Sequence, residues 1–199
     1  MKTQKRWISL ITIFVFAAAA AGLAVALQTD RQKMDQAQAG ADQTIYDILQ
    51  KEHNEVKDLL KRIGDSKDPR QTSQLMAQLR SALVPHMRAE EKVVYPALMK
   101  DENAKSLALQ AQKEHKAAQK VLQDMSRMRR NDAKWQAGFN MLNQSLNTHI
   151  ENEEGPLFDQ AKNVWSDQQA RQIAQQYMAA KKQAGAQPRG AKGGKGKGM

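Results

Sequence analysis

The chain has 199 residues and no cysteine, which excludes disulfides, thiolate metal ligands, iron–sulfur clusters and cysteine nucleophiles. Aromatic residues are only 5% and strand-like runs are nearly absent, while Ala, Leu, Gln, Lys, Glu and Met dominate, so the composition points to an all-α fold. The net charge of +10 belongs to the ends: Lys2, Lys5 and Arg6 lie at one, Lys181, Lys182, Arg189, Lys192, Lys195 and Lys197 at the other. Residues 7–180 are close to neutral, and a nucleic-acid partner is not expected.

Behind the basic start, Trp7 to Leu27 is an uncharged, largely apolar run of 21 residues. About 20 such residues cross a bilayer as a helix. Residues 1–28 are therefore read as a transmembrane anchor, with a signal peptide cleaved after Ala24-Val25-Ala26 as the alternative. Both place the remainder outside the cytoplasm, periplasmic and either tethered to the inner membrane or released, because the positive residues stay inside. Residues 29–41 are polar and read as a linker.

Residues 42–165 carry four amphipathic stretches, expected to form an antiparallel four-helix bundle. The first runs from Asp42 to Ile63, with Ile45, Ile48, Leu49, Val56, Leu59, Leu60 and Ile63 on one stripe and Gly64 as its stop. Asp68-Pro69 opens the second, whose stripe is Leu75, Leu79, Ala82, Leu83, His86, Glu90, Val93 and Val94. Pro85 is expected to kink it and Pro96 to end its regular part. The third spans Ala104 to Met128 along Ala108, Ala111, His115, Ala118, Leu122 and Met125. The fourth opens at Asn131-Asp132, follows Trp135, Phe139, Leu142, Leu146, His149 and Glu153, and should break at Gly155-Pro156. Ser166-Asp167-Gln168-Gln169 resembles a capping box for a short fifth helix over residues 166–183. The Gly/Lys-rich tail, residues 184–199, cannot build a core and is expected to be disordered.

All four histidines fall on these apolar stripes. Lys51-Glu52-His53 and Lys113-Glu114-His115 form one repeated motif; His86 with Glu90-Glu91 and His149 with Glu153-Glu154 form another. In the second motif His and Glu stand one helical turn apart on the same face. One inward His is ordinarily a hydrogen-bonded core residue, but here every helix supplies one. Two inward carboxylates are costly unless neutralised, and bound cations neutralise them. Imidazole with carboxylate and no thiolate suits Fe, Mn or Zn. His53, His86, Glu90, His115, His149 and Glu153 are enough to hold two metals, with His86/Glu90 opposite His149/Glu153 and His53 opposite His115. Ferritin-like bundles use Glu-x-x-His; here His comes first and the step is four.

Glu91 and Glu154 point about 100° away from their neighbours on a regular helix and are read as solvated, with orientation of a ligand His as the alternative. Tyr95 is read as core packing rather than a hydrogen-bond donor near the site, and Met87, Met99, Met125, Met128 and Met141 as core filler rather than ligands.

Lys-Glu-His53, His86-x-x-x-Glu90-Glu91 with Tyr95-Pro96, Lys-Glu-His115, and His149-x-x-x-Glu153-Glu154 with Leu157-Phe158 together resemble the hemerythrin-like, or HHE cation-binding, family over about residues 42–160. The resemblance implies a four-helix bundle around an oxo- or hydroxo-bridged pair of iron ions. It implies His53, His86, His115 and His149 as terminal ligands and Glu90 and Glu153 as bridges. The family's oxygen carriers have a second His one turn from the third-helix His, where this chain has Ala111 and Gln119. They also have a bridging Asp where this chain has Glu154. One iron is thus expected to keep an open position, for water, O2, NO, peroxide or a carboxylate, and reversible oxygen storage is not implied. A binding protein for such a ligand or for iron is the favoured reading, serving sensing, scavenging or iron handling. A di-iron enzyme reducing peroxide or NO is the second. A structural bundle whose basic tail meets anionic surfaces is the third.

Overall fold

The computed structural model describes residues 42–130 and 132–186, and these form α-helices with two π-helical interruptions and no strand. In chain order the elements are α1 (Ile45–Asp65), α2 (Pro69–Ala89), a first π segment (Glu90–Val94), α3 (Tyr95–Leu98), α4 (Glu102–Met125), α5 (Ala133–Asn152), a second π segment (Glu153–Leu157), α6 (Phe158–Val164) and α7 (Asp167–Ala186). Among the described residues no helix is long and apolar enough to cross a membrane. The anchor or signal expected over residues 1–28, the linker and most of the tail lie outside the described residues.

Local chemistry sets the helix starts. Thr44 caps α1 with a reciprocal box: its hydroxyl accepts from the Asp47 N–H, and Asp47 accepts from the Thr44 N–H at 2.8 Å. Asp68, Asp101 and Asp132 cap α2, α4 and α5. Ser166 and Gln169 make the expected box at α7, with the Ser166 N–H donating to Gln169 Oε1 at 2.9 Å. Gly64 does not stop α1, which runs on to Asp65. A Cβ there would lie 3.6 Å from the Phe139 ring, an ordinary contact distance.

Pro96 and Gly155-Pro156 do not break the chain either. Regular α hydrogen bonding stops earlier than expected, at Ala89 and Asn152, and the backbone continues as wider π turns before resuming as α3 and α6. The Tyr95 N–H reaches back five residues to the Glu90 carbonyl, and the Phe158 N–H reaches the Glu153 carbonyl. A proline ring clashes with the carbonyl four residues earlier in an α-helix, and a locally wider turn accommodates it.

The short link between α1 and α2, and that between α4 and α5, fold each pair into a hairpin, and α1 also packs on α5. α7 lies across the first hairpin, touching α1, α2 and the first π segment. Two apolar clusters result. One gathers Leu49, Val94, Tyr95, Leu98, Phe158 and Tyr177; the other gathers Val56, Leu79, Leu83, Leu122, Phe139 and Leu146. On α1 the step from the first cluster to the second passes through His53; on α4 it passes through His115. The histidines thus form a polar layer between two halves of the core. Met87 and Met125 are core residues as expected, but Met141 is 60% exposed because it faces away beside buried Leu142.

Candidate metal centre

Each bundle helix contributes one buried histidine and each π segment begins with one buried glutamate: His53, His86, Glu90, His115, His149 and Glu153 are all at most 4% exposed. They converge. His86 Nε2 lies 3.1 Å and His115 Nε2 3.4 Å from the same oxygen, Glu90 Oε2. His53 Nε2 lies 3.3 Å and His149 Nε2 3.7 Å from Glu153 Oε2. His53, His86 and Glu90 present ligand atoms within 4.8 Å of one another, and so do Glu90, His115 and His149. The Glu90 carboxylate is common to both triads.

The outer nitrogen of every ring meets a carboxylate. His86 Nδ1 lies 2.9 Å from Glu52, His149 Nδ1 2.9 Å from Glu114, His53 Nδ1 3.0 Å from Glu154 and His115 Nδ1 3.3 Å from Glu91. A carboxylate accepts only, so each Nδ1 carries the proton and each Nε2 turns a lone pair inward. Within a repeat, the Glu of the Lys-Glu-His motif holds the His of the next helix. Between repeats, the second Glu of each Glu-Glu pair holds the first His of the other. Glu91 and Glu154 are therefore not merely solvated, contrary to expectation: the hydrogen bonds cross the bundle to helices that same-helix spacing does not see.

Tyr95 departs from expectation too. It is fully buried, and its hydroxyl donates to Glu153 Oε1 at 2.6 Å while lying 3.1 Å from His115 Nε2. Two groups on α7 were not foreseen. The Tyr177 hydroxyl donates to Glu52 Oε2 at 2.7 Å and lies 2.9 Å from His86 Nδ1; Lys181 Nζ lies 2.6 Å from the same Glu52 oxygen. Their only sequence signal is the spacing of one turn on one face of α7.

The donor set fits a cation. Both Glu90 oxygens, Glu153 Oε2 and His53 Nε2 are buried without a hydrogen bond, a costly state for polar atoms. His115 Nε2 and His149 Nε2 stand 3.1 Å apart, which with both outer nitrogens protonated sets lone pair against lone pair unless a positive charge lies between or beside them. The titration shifts agree. Burial, then the neighbouring charge of Glu153, pushes the Glu90 carboxyl well above its ordinary range. Burial acts the same way on Glu153, but His149, His53 and His115 outweigh it and hold that carboxyl low. Burial lowers His86 to about 4 against the opposing pull of Glu52. Burial would raise Glu52, yet His86, Lys181 and Tyr177 hold it at about 2. His149 is raised: burial opposes, and Glu153 and Glu114 prevail.

Residues 44–161 match the family described as Hemerythrin HHE cation binding domain. The chain belongs to the hemerythrin HHE cation-binding family. Among known structures, that of a hemerythrin HHE cation binding domain-containing protein from Mycobacterium kansasii is similar in fold. It has a TM-score of 0.64 at 22% identity, covering 72% of this chain and 88% of that one. A DNA nickase of Nostoc sp. is 25% identical over 162 residues, which amount to 81% of this chain and 43% of that protein. The chain thus spans less than half the length of this curated relative. The family match and the buried His/Glu groups together support metal binding of the hemerythrin type.

Proposed function

We propose that this hemerythrin-family protein holds a pair of iron ions, with Mn or Zn as substitutes, and binds a small ligand there. His53 and His86 would hold one ion and His115 and His149 the other, with Glu90 and Glu153 spanning both. The observation that carries this reading is the Glu90 carboxylate, fully buried, without a hydrogen bond, and shared by two histidine triads. A single cation would use one triad and leave the other's nitrogens unpaired. Iron bound in this way supplies a redox-active position open to O2, NO or peroxide. The chain's own groups prepare it: four glutamates fix the imidazole tautomers, Tyr95 orients Glu153, and Ala111 leaves the His115 side one imidazole short of an oxygen carrier's set. Ligand binding for sensing, scavenging or iron handling is the role proposed for the centre, with reduction of peroxide or NO as the alternative. The basic start and apolar run at residues 1–28 support an extracytoplasmic location, anchored or released.

Metal analysis with optical and Mössbauer spectra of the full-length protein tests the reading. A coupled pair of irons per chain, perturbed by NO or peroxide, is expected. One ion per chain, or none, after anaerobic loading with Fe(II) overturns it. A reporter active only outside the cytoplasm, fused after residue 41, tests the location.

A further inference from the structure

The two repeats are not equally covered. In the first hairpin, the position one turn before His53 is Leu49, which is 1% exposed, and α7 lies over that face with Tyr177 and Ala174 packed in the same cluster. In the second hairpin, the position one turn before His115 is Ala111. A cavity of about 50 Å³ opens there between α4 and the second π segment. Its floor is buried Ala111, Glu153 and Leu157; its rim is exposed Gln110 and Pro156 with half-buried Glu114. A water-sized molecule needs roughly 10–15 Å³ measured in this way, so the cavity has room for a diatomic molecule. The space beside Leu49, lined also by Ile45, Val94, Leu157 and Glu153, has only about 10 Å³.

We propose that a neutral diatomic such as O2 or NO reaches the metal centre through the cavity at Ala111, on the His115/His149 side, while Leu49 and α7 close the equivalent route on the other side. This rests on the di-metal reading above. Glu153 forms part of the cavity floor and also lies within 3.7 Å of His149 Nε2, so a molecule in the cavity is already beside the centre. The approach passes apolar Ala111 and Leu157 before it reaches Glu153, which suits a small uncharged ligand. On the opposite side, Glu52, Tyr177, Lys181 and His86 are locked together by bonds of 2.6 to 2.9 Å.

Ala111→Leu places in the second repeat the residue that the first already has. Full-length wild type and variant are loaded with Fe(II), their iron content and spectra compared, and NO is mixed with each in a stopped-flow spectrometer. Equal iron with NO association slower by about tenfold or more is the expected result, because entry then awaits a side-chain rearrangement. Equal iron with an unchanged rate overturns the route. Should Ala111→Leu load poorly, Leu107→Trp at the rim narrows the same cavity away from the ligands: slowed NO association supports the route, an unchanged rate overturns it. Leu49→Ala serves as the converse, and NO association faster than wild type with unchanged iron supports the closure of the first side. Failure of the wild type to bind a metal pair shows before NO is added and refutes the di-metal reading, and the route with it.

Discussion

Glu90 should be a liability to the metal-free protein and a requirement of the metal-bound one, so Glu90→Met should change the sign of its effect with metal. In the chelated wild type the carboxyl is fully buried and neither oxygen has a hydrogen bond. Leaving such a group unsatisfied costs about 1–3 kcal/mol, and Met fills nearly the same volume without polar atoms. Ionisation adds to this. Burial and Glu153 raise the folded-state pKa above 4.5, so stability tied to Glu90 is fully present below that value and lost as pH rises. Each pH unit above it widens the advantage of the variant by up to about 1.4 kcal/mol until the folded carboxyl itself ionises. With metal the order inverts, since a ligand at a thousand times its Kd stabilises by about 4 kcal/mol and the variant forfeits a residue shared by both triads. Urea titrations in chelator at pH 4, 5.5 and 7, repeated with Fe(II), read all three effects. A Glu90→Met protein less stable than wild type in chelator at every pH would refute the account of Glu90 as an acid kept for metal.

Other substitutions separate the roles of neighbouring groups. Glu91→Ala and Glu154→Ala each free one Nδ1 and should weaken metal binding by roughly 10- to 100-fold, read by competition with a chromogenic chelator. Tyr177→Phe removes the hydroxyl that donates to Glu52 and should cost about 1 kcal/mol in thermal melts. Leu142→Ala, at a fully buried core position, should cost about 2–5 kcal/mol, whereas Met141→Ala next to it, 60% exposed, should stay within about 0.5 kcal/mol.

Much of the bundle and the inward placing of its four histidines and two glutamates could be read from sequence, because both depend on spacing within one helix. Stripes such as Leu75, Leu79 and Leu83 follow the helical period, and each histidine occupies a place where that period calls for an apolar residue. The outer ring of the site depends on spacing between helices, which no local period encodes. Glu52 meets His86 at a separation of 34 residues, Glu154 meets His53 at 101, and Tyr177 meets Glu52 at 125. Glu52 and Glu114 were visible as members of a repeated Lys-Glu-His motif, but their partners lie on the next helix. Tyr177 and Lys181 carried no mark beyond a shared face of α7.

The π segments explain why Glu91 and Glu154 were misjudged. On a regular helix, neighbours diverge by about 100°, so if Glu90 faces inward Glu91 should not. A π turn has more residues per turn and therefore a smaller angle between neighbours. Each π segment starts at the inward glutamate, so the angle narrows where the two acids follow one another. Glu90 then reaches His86 and His115 at Nε2 while Glu91 reaches His115 at Nδ1. Glu153 and Glu154 repeat the arrangement on His53, touching its two nitrogens at 3.3 and 3.0 Å. One imidazole is thus gripped from both sides by consecutive residues of a facing helix. The prolines, which read in sequence as helix breakers, accompany a widened turn that keeps the helix going while it aims two adjacent carboxylates at one ring.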